Sequence, residues 1–233
     1  MRAPLLTRIW NPAPGRLRRR VFLTAALALA TTLAAGCASG YETTSTRGER
    51  IKEWFLEREG GEIEAFAVWP AEKGRHPALL LIHGAGGRAQ RFRSPIFTLA
   101  RGGVVAMAIS LPGSGASTGP DDFNGPRAVA AIFRAAAFLA QDSRVRPEAI
   151  AVYGIGAGAA AALLAAVESP HIRLAAVQDG GYGLEEIFGS LSENERLRMR
   201  LRLGGTPKEK PEAYRIRSPI RRLAGLRGPV LIL

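Results

Sequence analysis

One glycine-rich stretch, AIAVYGIGAGAAAALLAA at residues 149–166, constrains the fold of this chain more than any other segment. Residues 149–153 form a short apolar run typical of a buried strand, and glycines follow at positions 154, 156 and 158. The Ala/Leu run that continues to Val167 predicts a buried helix, because alanine and leucine are strong helix formers. The stretch therefore predicts a buried strand, a sharp turn and a buried helix.

The glycine spacing in this turn has more than one interpretation. Gly154, Gly156 and the helix start partly match G-x-G-x-x-G, the phosphate-binding turn of dinucleotide folds, with Ala159 at the third glycine position. Against that interpretation, the helix comes late in the chain, and the acidic residue Asp179 lies 25 residues past Gly154. A glycine-rich turn with no chemical role is a further alternative.

Apolar runs elsewhere in the chain alternate with helix-like segments. Strands are predicted at residues 51–58, 62–69, 78–82, 104–109, 174–178 and 229–233. Helices are predicted at residues 92–101 and 125–140. Buried strands separated by helices predict an α/β fold, with a mostly parallel central sheet and helices on both faces. The first two runs, joined at Gly60 and Gly61, predict an antiparallel hairpin at its edge.

The first 36 residues resemble an export signal more than part of a domain. Four arginines within residues 16–20 directly precede an apolar run at residues 21–33, which is too short to span a bilayer. Small residues then lead to Cys37, the only cysteine, in a pattern that resembles a bacterial lipobox with Ala34 where leucine is usual. We expect residues 1–36 to be removed and Cys37 to be acylated.

Acylation would anchor the protein to a membrane of the bacterial cell envelope, on its periplasmic or extracellular face. Residues 37–50 are predicted to form a flexible tether, and residues 51–233 the folded domain. Arg19 and Arg20 also resemble a twin-arginine export signal. A cytosolic N-terminal helix is the alternative to an export signal.

The net charge of +12 does not indicate nucleic-acid binding. Six arginines and no acidic residue lie in residues 1–36, and residues 191–222 hold ten Lys/Arg against four Asp/Glu. The remainder is balanced, and no nucleic-acid motif is present. The basic residues lie within a long excursion, for which we predict a helical cap over about 184–222 that faces solvent or anionic lipid.

Four segments carry a resemblance to a known family. In order and spacing they are similar to those of α/β-hydrolases, closest to the dienelactone hydrolase and prolyl-oligopeptidase-like branches. The segments are LLLIHGAGG at 79–87, SLPGSGAS at 110–117, the turn at 154–158, and EAYR, SPI and GPVLIL within 212–233.

The resemblance implies a role for each residue of the turn. The family pattern G-x-S-x-G reads G-I-G-A-G here, so that Gly156 stands where the nucleophilic serine would be. The backbone N–H groups of Ala85 and Ala157 would form the oxyanion hole. Asp179 is a weak candidate for the acid. No metal and no organic cofactor is implied.

The remaining triad members are also missing from their expected places. The resemblance puts the acid after the strand that begins at Pro229, and the histidine after a further strand. The chain given ends at Leu233, so we expect the last strand and helix to be absent. A C-terminal truncation and a genuine non-catalytic relative both explain this.

The histidines and serines present offer no replacement for the triad. We predict His76 as a surface loop residue, His83 as part of the oxyanion loop and His171 as a solvated helix-end residue. None is expected to act as a base. Ser114 and Ser117 are expected to cap a turn.

Together these patterns predict an exported lipoprotein with an α/β-hydrolase fold. The family reaction is serine-dependent hydrolysis of an ester, lactone or peptide bond, and we expect little or no such activity because Gly156 has no hydroxyl. One alternative is a non-catalytic protein that binds a small molecule, a peptide or the envelope surface. Another is an enzyme with a different nucleophile.

Overall fold

Eight strands form one mixed sheet in a computed structural model that describes residues 40–58 and 61–233. Its strand order is β1-β2-β3-β5-β4-β6-β7-β8. The strands are β1 (Tyr41–Thr44), β2 (Arg50–Arg58), β3 (Gly61–Trp69), β4 (His76–Ile82), β5 (Val105–Ile109), β6 (Val145–Ile155), β7 (Leu174–Gln178) and β8 (Val230–Ile232). The signal segment 1–36 and Cys37 lie outside the described residues.

Strand direction divides the sheet into two parts. β5, β4, β6, β7 and β8 run parallel to one another. β1, β2 and β3 form an antiparallel extension that joins β5. The predicted hairpin is confirmed, since Trp54 of β2 pairs with Ala65 of β3.

Helices cover both faces of the sheet, as the sequence predicts for an α/β fold. The helices are α1 (Arg93–Arg101), α2 (Pro126–Gln141), α3 (Ala157–Glu168), α4 (Leu184–Phe188), α5 (Glu193–Leu203) and α6 (Pro211–Arg215). α2 and α3 bury their apolar residues in one core with the sheet, whereas α1 packs into a second core. The two cores make this a three-layer structure.

The order of the parallel strands places the site. β4 lies at the centre, with β5 on one side and β6 on the other, so the chain reverses its direction of winding there. Ligands of open α/β sheets bind at such a switch point, beyond the carboxyl ends of the strands. β4 ends at Ile82, before the predicted oxyanion loop, and β6 ends at Ile155, before Gly156.

The structure corrects two predictions, one for residues 41–44 and one for His76. Residues 41–44, predicted as tether, form β1, because β2 offers them a ladder of backbone partners that their polar sequence does not signal. His76, predicted in a surface loop, is the first residue of β4 and is only 8% exposed. Its ring nitrogens contact the carbonyl oxygens of Gly103 and Glu72 at 3.2 and 3.1 Å.

The excursion predicted as a cap is mainly helical and contains α4, α5 and α6. α5 is capped at both of its ends. Ser192 and Glu195 form a capping box at its start, and Gly204 adopts a left-handed conformation at its end. A small separate core lies within the cap and consists of Leu184, Met199, Leu203 and Tyr214.

Candidate functional site

Gly156 lies at a sharp bend between β6 and α3. Its φ of 56° and ψ of −126° fall in a region that side-chain-bearing residues rarely adopt. The Gly156 N–H donates to the Gln178 carbonyl oxygen of the neighbouring strand at 2.8 Å, and its own carbonyl accepts from Ala159 N–H. This is the strand, tight turn and buried helix that the sequence predicts.

The three glycines of the turn have different structural requirements. A Cβ on Gly154 would come under 3.0 Å from Gly158 and Ala159, and a Cβ on Gly158 would come equally close to the carbonyl of His83. A Cβ on Gly156 would meet nothing closer than the Gly84 Cα at 3.8 Å. Close packing therefore requires glycine at the two outer positions, whereas the central one has room for a side chain.

Two backbone donors point to the space beside this bend. Ala157 is the first residue of α3, and Ala85 lies in the loop after β4. Both line the same cavity, and among the described residues neither N–H has a hydrogen-bond partner. The partial positive charge at the start of α3 adds to their effect on a bound oxygen. The pair has the chemistry of an oxyanion hole, and the catalytic roles of both residues stay predictions.

His83 is held in a purely structural arrangement. Its Nε2 accepts a hydrogen bond from the Leu111 N–H at 2.9 Å, and its Nδ1–H therefore donates to the Gly84 carbonyl at 2.7 Å. Burial lowers the pKa of His83 below its usual range, the Gly84 carbonyl opposes this, and Arg91 adds to the lowering. The ring is neutral at pH 7 and has no free nitrogen to act as a base.

A half-buried carboxylate stabilises the loop that carries Ala85. Glu64 of β3 accepts hydrogen bonds from the Ser110 hydroxyl at 2.5 Å, the Gln90 amide at 2.6 Å and the Ala116 N–H at 3.1 Å. Burial raises the pKa of Glu64, but these hydrogen bonds outweigh it, and the net pKa lies below the ordinary value. Ser110 in turn accepts from the Ala89 N–H, which ties the loop to β3.

Ser114 and Ser117, predicted to cap a turn, lie in the turn after β5. The Ser117 hydroxyl donates to the Ser110 carbonyl at 2.6 Å and accepts from the Glu64 N–H at 2.9 Å. The Ser117 N–H donates to the Ser114 carbonyl. These contacts are those of a turn-capping hydroxyl.

Asp179, the weak acid candidate, lines the same cavity as Gly156. It follows β7 directly and has a positive φ of 51°, and its carboxylate accepts from the Gln178 side-chain amide at 3.2 Å. No histidine lines this cavity among the described residues. The structure thus brings Asp179 to the bend without a group that it could orient.

The cavity has a volume of about 480 Å³, which lies in the usual range for small-molecule sites. Its lining carries no hydroxyl, thiol or imidazole among the described residues. The lining residues are Ala85, Phe123, Asn124, Gly156, Ala157, Ala160, Asp179, Gly181, Leu184, Ile187, Leu191, Glu195, Arg198, Met199 and Arg202. The pocket is therefore apolar in its body, with a few polar groups at the bend and the rim.

A sequence model of the alpha/beta hydrolase family matches residues 79–230. The chain belongs to this family. The match spans the loop with Ala85, the bend at Gly156 and the cap. That Gly156 stands where this family has its nucleophile stays a prediction.

Relatives and similar structures are hydrolases as well. The uncharacterized peptidase YtmA of Bacillus subtilis (strain 168) is 28% identical over 177 residues, 75% of this chain and 68% of its own. An acetyl xylan esterase from Paenibacillus sp. R4 superposes with a TM-score of 0.69 at 17% identity, covering 95% and 80% of the two chains.

A puromycin-hydrolyzing peptidase of Mycobacterium tuberculosis has the same TM-score, 0.69, at 21% identity. That superposition covers 81% of this chain and 31% of the peptidase. At such identities these two structures share the fold with this chain, and their substrates are their own.

Sequence reasoning missed two polar residues that the structure places at or near the bend. Asn124 lines the cavity, and Glu64 holds the neighbouring loop. A signal for the first exists in the sequence DDFNG at 121–125, whose Asn and Asp residues favour turns with positive φ. Glu64 gives no such signal, because it reads as an outward-facing residue of a half-exposed strand.

Proposed function

We propose that this chain is a catalytically impaired member of the alpha/beta hydrolase family that binds an acyl compound without cleaving it. The observation that carries the proposal is Gly156, which has the backbone geometry of the nucleophile and room for its side chain but no hydroxyl. Serine-dependent hydrolysis needs an oxygen at this point to attack the carbonyl carbon.

The nearby groups support impairment. His83 uses both ring nitrogens in backbone hydrogen bonds, and the Ser117 hydroxyl is engaged on both sides. The N–H groups of Ala85 and Ala157 have no hydrogen-bond partner within the described part of the chain, but as oxyanion donors they would lower a barrier only when a nucleophile attacks. Binding of a carbonyl group is what this combination still allows.

Hydrolysis of p-nitrophenyl acetate by the purified protein tests the impairment. We expect no turnover above the rate in buffer. Turnover that disappears in Ser114→Ala, Ser117→Ala or Asp179→Asn would show that another nucleophile works, and would overturn the proposal. Each of these changes is conservative in volume, so thermal unfolding of the variants can verify that they remain folded.

The proposal includes export and lipid anchoring at Cys37, which rests on the sequence before residue 37. Among the described residues, no helix combines the length and hydrophobicity needed to cross a bilayer. A Cys37→Ser variant expressed in a bacterial host should move from the membrane fraction to the soluble fraction and lose incorporation of labelled palmitate. Membrane association that survives this change would contradict anchoring through Cys37.

A further inference from the structure

Asn124 is a buried polar residue whose side chain is not explained by any of the contacts described above. It is 8% exposed, it lines the main cavity, and its amide makes no hydrogen bond with any other described residue. Its two polar atoms are open to the cavity, since neither is among the fully enclosed side-chain atoms that lack a partner. An unpaired amide facing a cavity is explained if a ligand supplies the missing partner.

The backbone around Asn124 is strained and firmly held. Phe123 and Asn124 have positive φ values of 54° and 59°, which is unusual for a bulky residue such as phenylalanine. The Asp122 carboxylate accepts from the first N–H groups of α2, and Arg217 donates to the Asp122 carbonyl at 2.9 Å. Strain that the surroundings maintain in this way is typical of functional positions.

Asn124 shares the cavity with the two free backbone donors. The N–H groups of Ala85 and Ala157 and the amide of Asn124 can all donate to one ligand group, and the start of α3 adds positive potential. The absent side chain of Gly156 leaves space for a second ligand oxygen, since a Cβ there has no neighbour nearer than 3.8 Å. Several donors and room for two oxygens favour a carboxylate over an ester carbonyl.

The charged residues that line the cavity have both signs. Arg202 is paired with Asp121, and the Glu195 carboxylate accepts from the Ser192 N–H and hydroxyl. Arg198 lines the cavity without an ion pair among the described residues. Two carboxylates in the lining oppose it: Asp179, on the side of β7, and Glu195, whose charge interacts with that of Arg198.

From this arrangement we propose that Asn124 is a ligand-binding residue and that the cavity takes a monocarboxylate with an apolar chain. The carboxylate lies on Ala85, Ala157 and Asn124, and the chain extends along Leu184, Ile187 and Met199. The inference rests on the proposed function, because a working nucleophile at the bend would occupy the second oxygen's place.

Isothermal titration of the purified full-length protein with sodium octanoate, and with octanamide as the neutral probe, tests this inference. Asn124→Asp keeps the shape and tolerates the positive φ, but it places a negative charge against the carboxylate. We expect it to weaken octanoate binding by more than about tenfold and to leave octanamide binding within about threefold. Asn194→Asp, an exposed position on α5 outside the cavity, is the matched control and should change neither.

Asn124→Gly is a second variant that should fold, because glycine adopts the positive φ without strain while the amide is removed. It should weaken octanoate binding by about tenfold. Octanoate affinity equal to wild type in both Asn124 variants would overturn the inference. If the wild-type protein bound octanamide but not octanoate, the inferred preference for a carboxylate would be wrong, and the proposed function would still stand. Binding of neither probe would overturn the inference, whereas the ester assay judges impairment independently.

Discussion

The carbonyl oxygen of His83 lies against the α-carbon of Gly158, so close that a Cβ there would approach it to under 3.0 Å. This contact joins the end of β4 to the first turn of α3 through backbone atoms, which cannot move aside as a flexible side chain can. The loop that carries Ala85 and the bend at Gly156 are therefore held together by Gly158, which does not line the cavity.

Substitutions at the two glycines should separate packing from backbone strain. Gly156→Ala adds a methyl group to open space at a φ of 56° and should cost about 1–2 kcal/mol of unfolding free energy. Gly158→Ala must push two backbone segments apart and should cost about 3 kcal/mol or more. Urea unfolding measures both, and equal losses would contradict the geometry of the turn.

A thiol introduced at the bend should be unusually acidic. In a Cys37→Ser background, Gly156→Cys would place sulfur at the start of α3 beside the Ala85 and Ala157 N–H groups, which lowers a thiol pKa below its ordinary value of about 8.5. The pH dependence of alkylation by iodoacetamide reports that pKa. Gly189→Cys, at an exposed glycine with open space around it, is the control and should titrate normally.

Protonation of His83 should destabilise the fold. The histidine of the unfolded chain takes up a proton near pH 6.5, whereas the folded pKa is lower, so the unfolded state binds more protons in this range. The free energy of unfolding should fall as pH drops from about 7 through 6.5 and on to the folded pKa. Measured by urea unfolding, the free energy of unfolding of His83→Gln should depend less on pH over this window than that of the wild type. His76 and His171 are present in both proteins, so a difference between the two pH profiles is due to His83.

Glu64 should contribute stability that acid removes. Its pKa lies below the ordinary value of 4.5, so the contribution is present above pH 4.5 and is lost as pH falls through the folded pKa. Glu64→Gln should lower the unfolding free energy by about 1–3 kcal/mol at pH 7 and by much less near pH 3. Glu72→Gln, at an exposed loop position, should have no comparable effect at either pH.

Charge reversal should weaken octanoate binding at Arg198, which lines the cavity, and not at Lys208, which does not. Arg198→Glu should weaken octanoate binding by a few fold, and less at high salt, because the exposed guanidinium is screened. Lys208→Glu makes the same change in net charge away from the cavity and should leave the affinity unaltered. Equal effects of the two variants would indicate a general charge effect and would count against a role for Arg198.

The sequence by itself determined the elements that local patterns encode. The buried runs of β4, β5, β6 and β7 and the Ala/Leu helix after Gly156 are apolar enough to be read without knowledge of their neighbours. α5 is similar, because Ser192, Glu195 and Gly204 mark both ends of the helix within the local sequence. The prediction that Gly156 stands at the nucleophile position likewise comes from the pattern alone.

Only the tertiary structure decided how distant polar groups are used. It buried His76, converted residues 41–44 from a predicted tether into β1, tied Glu64 to Ser110 and Gln90, and turned Asn124 towards the bend. The hydrophobic periodicity of a segment indicates which of its sides is buried, because this pattern is formed by residues close together in the sequence. Hydrogen-bond partners come from residues far apart in sequence, and folding alone brings them within reach.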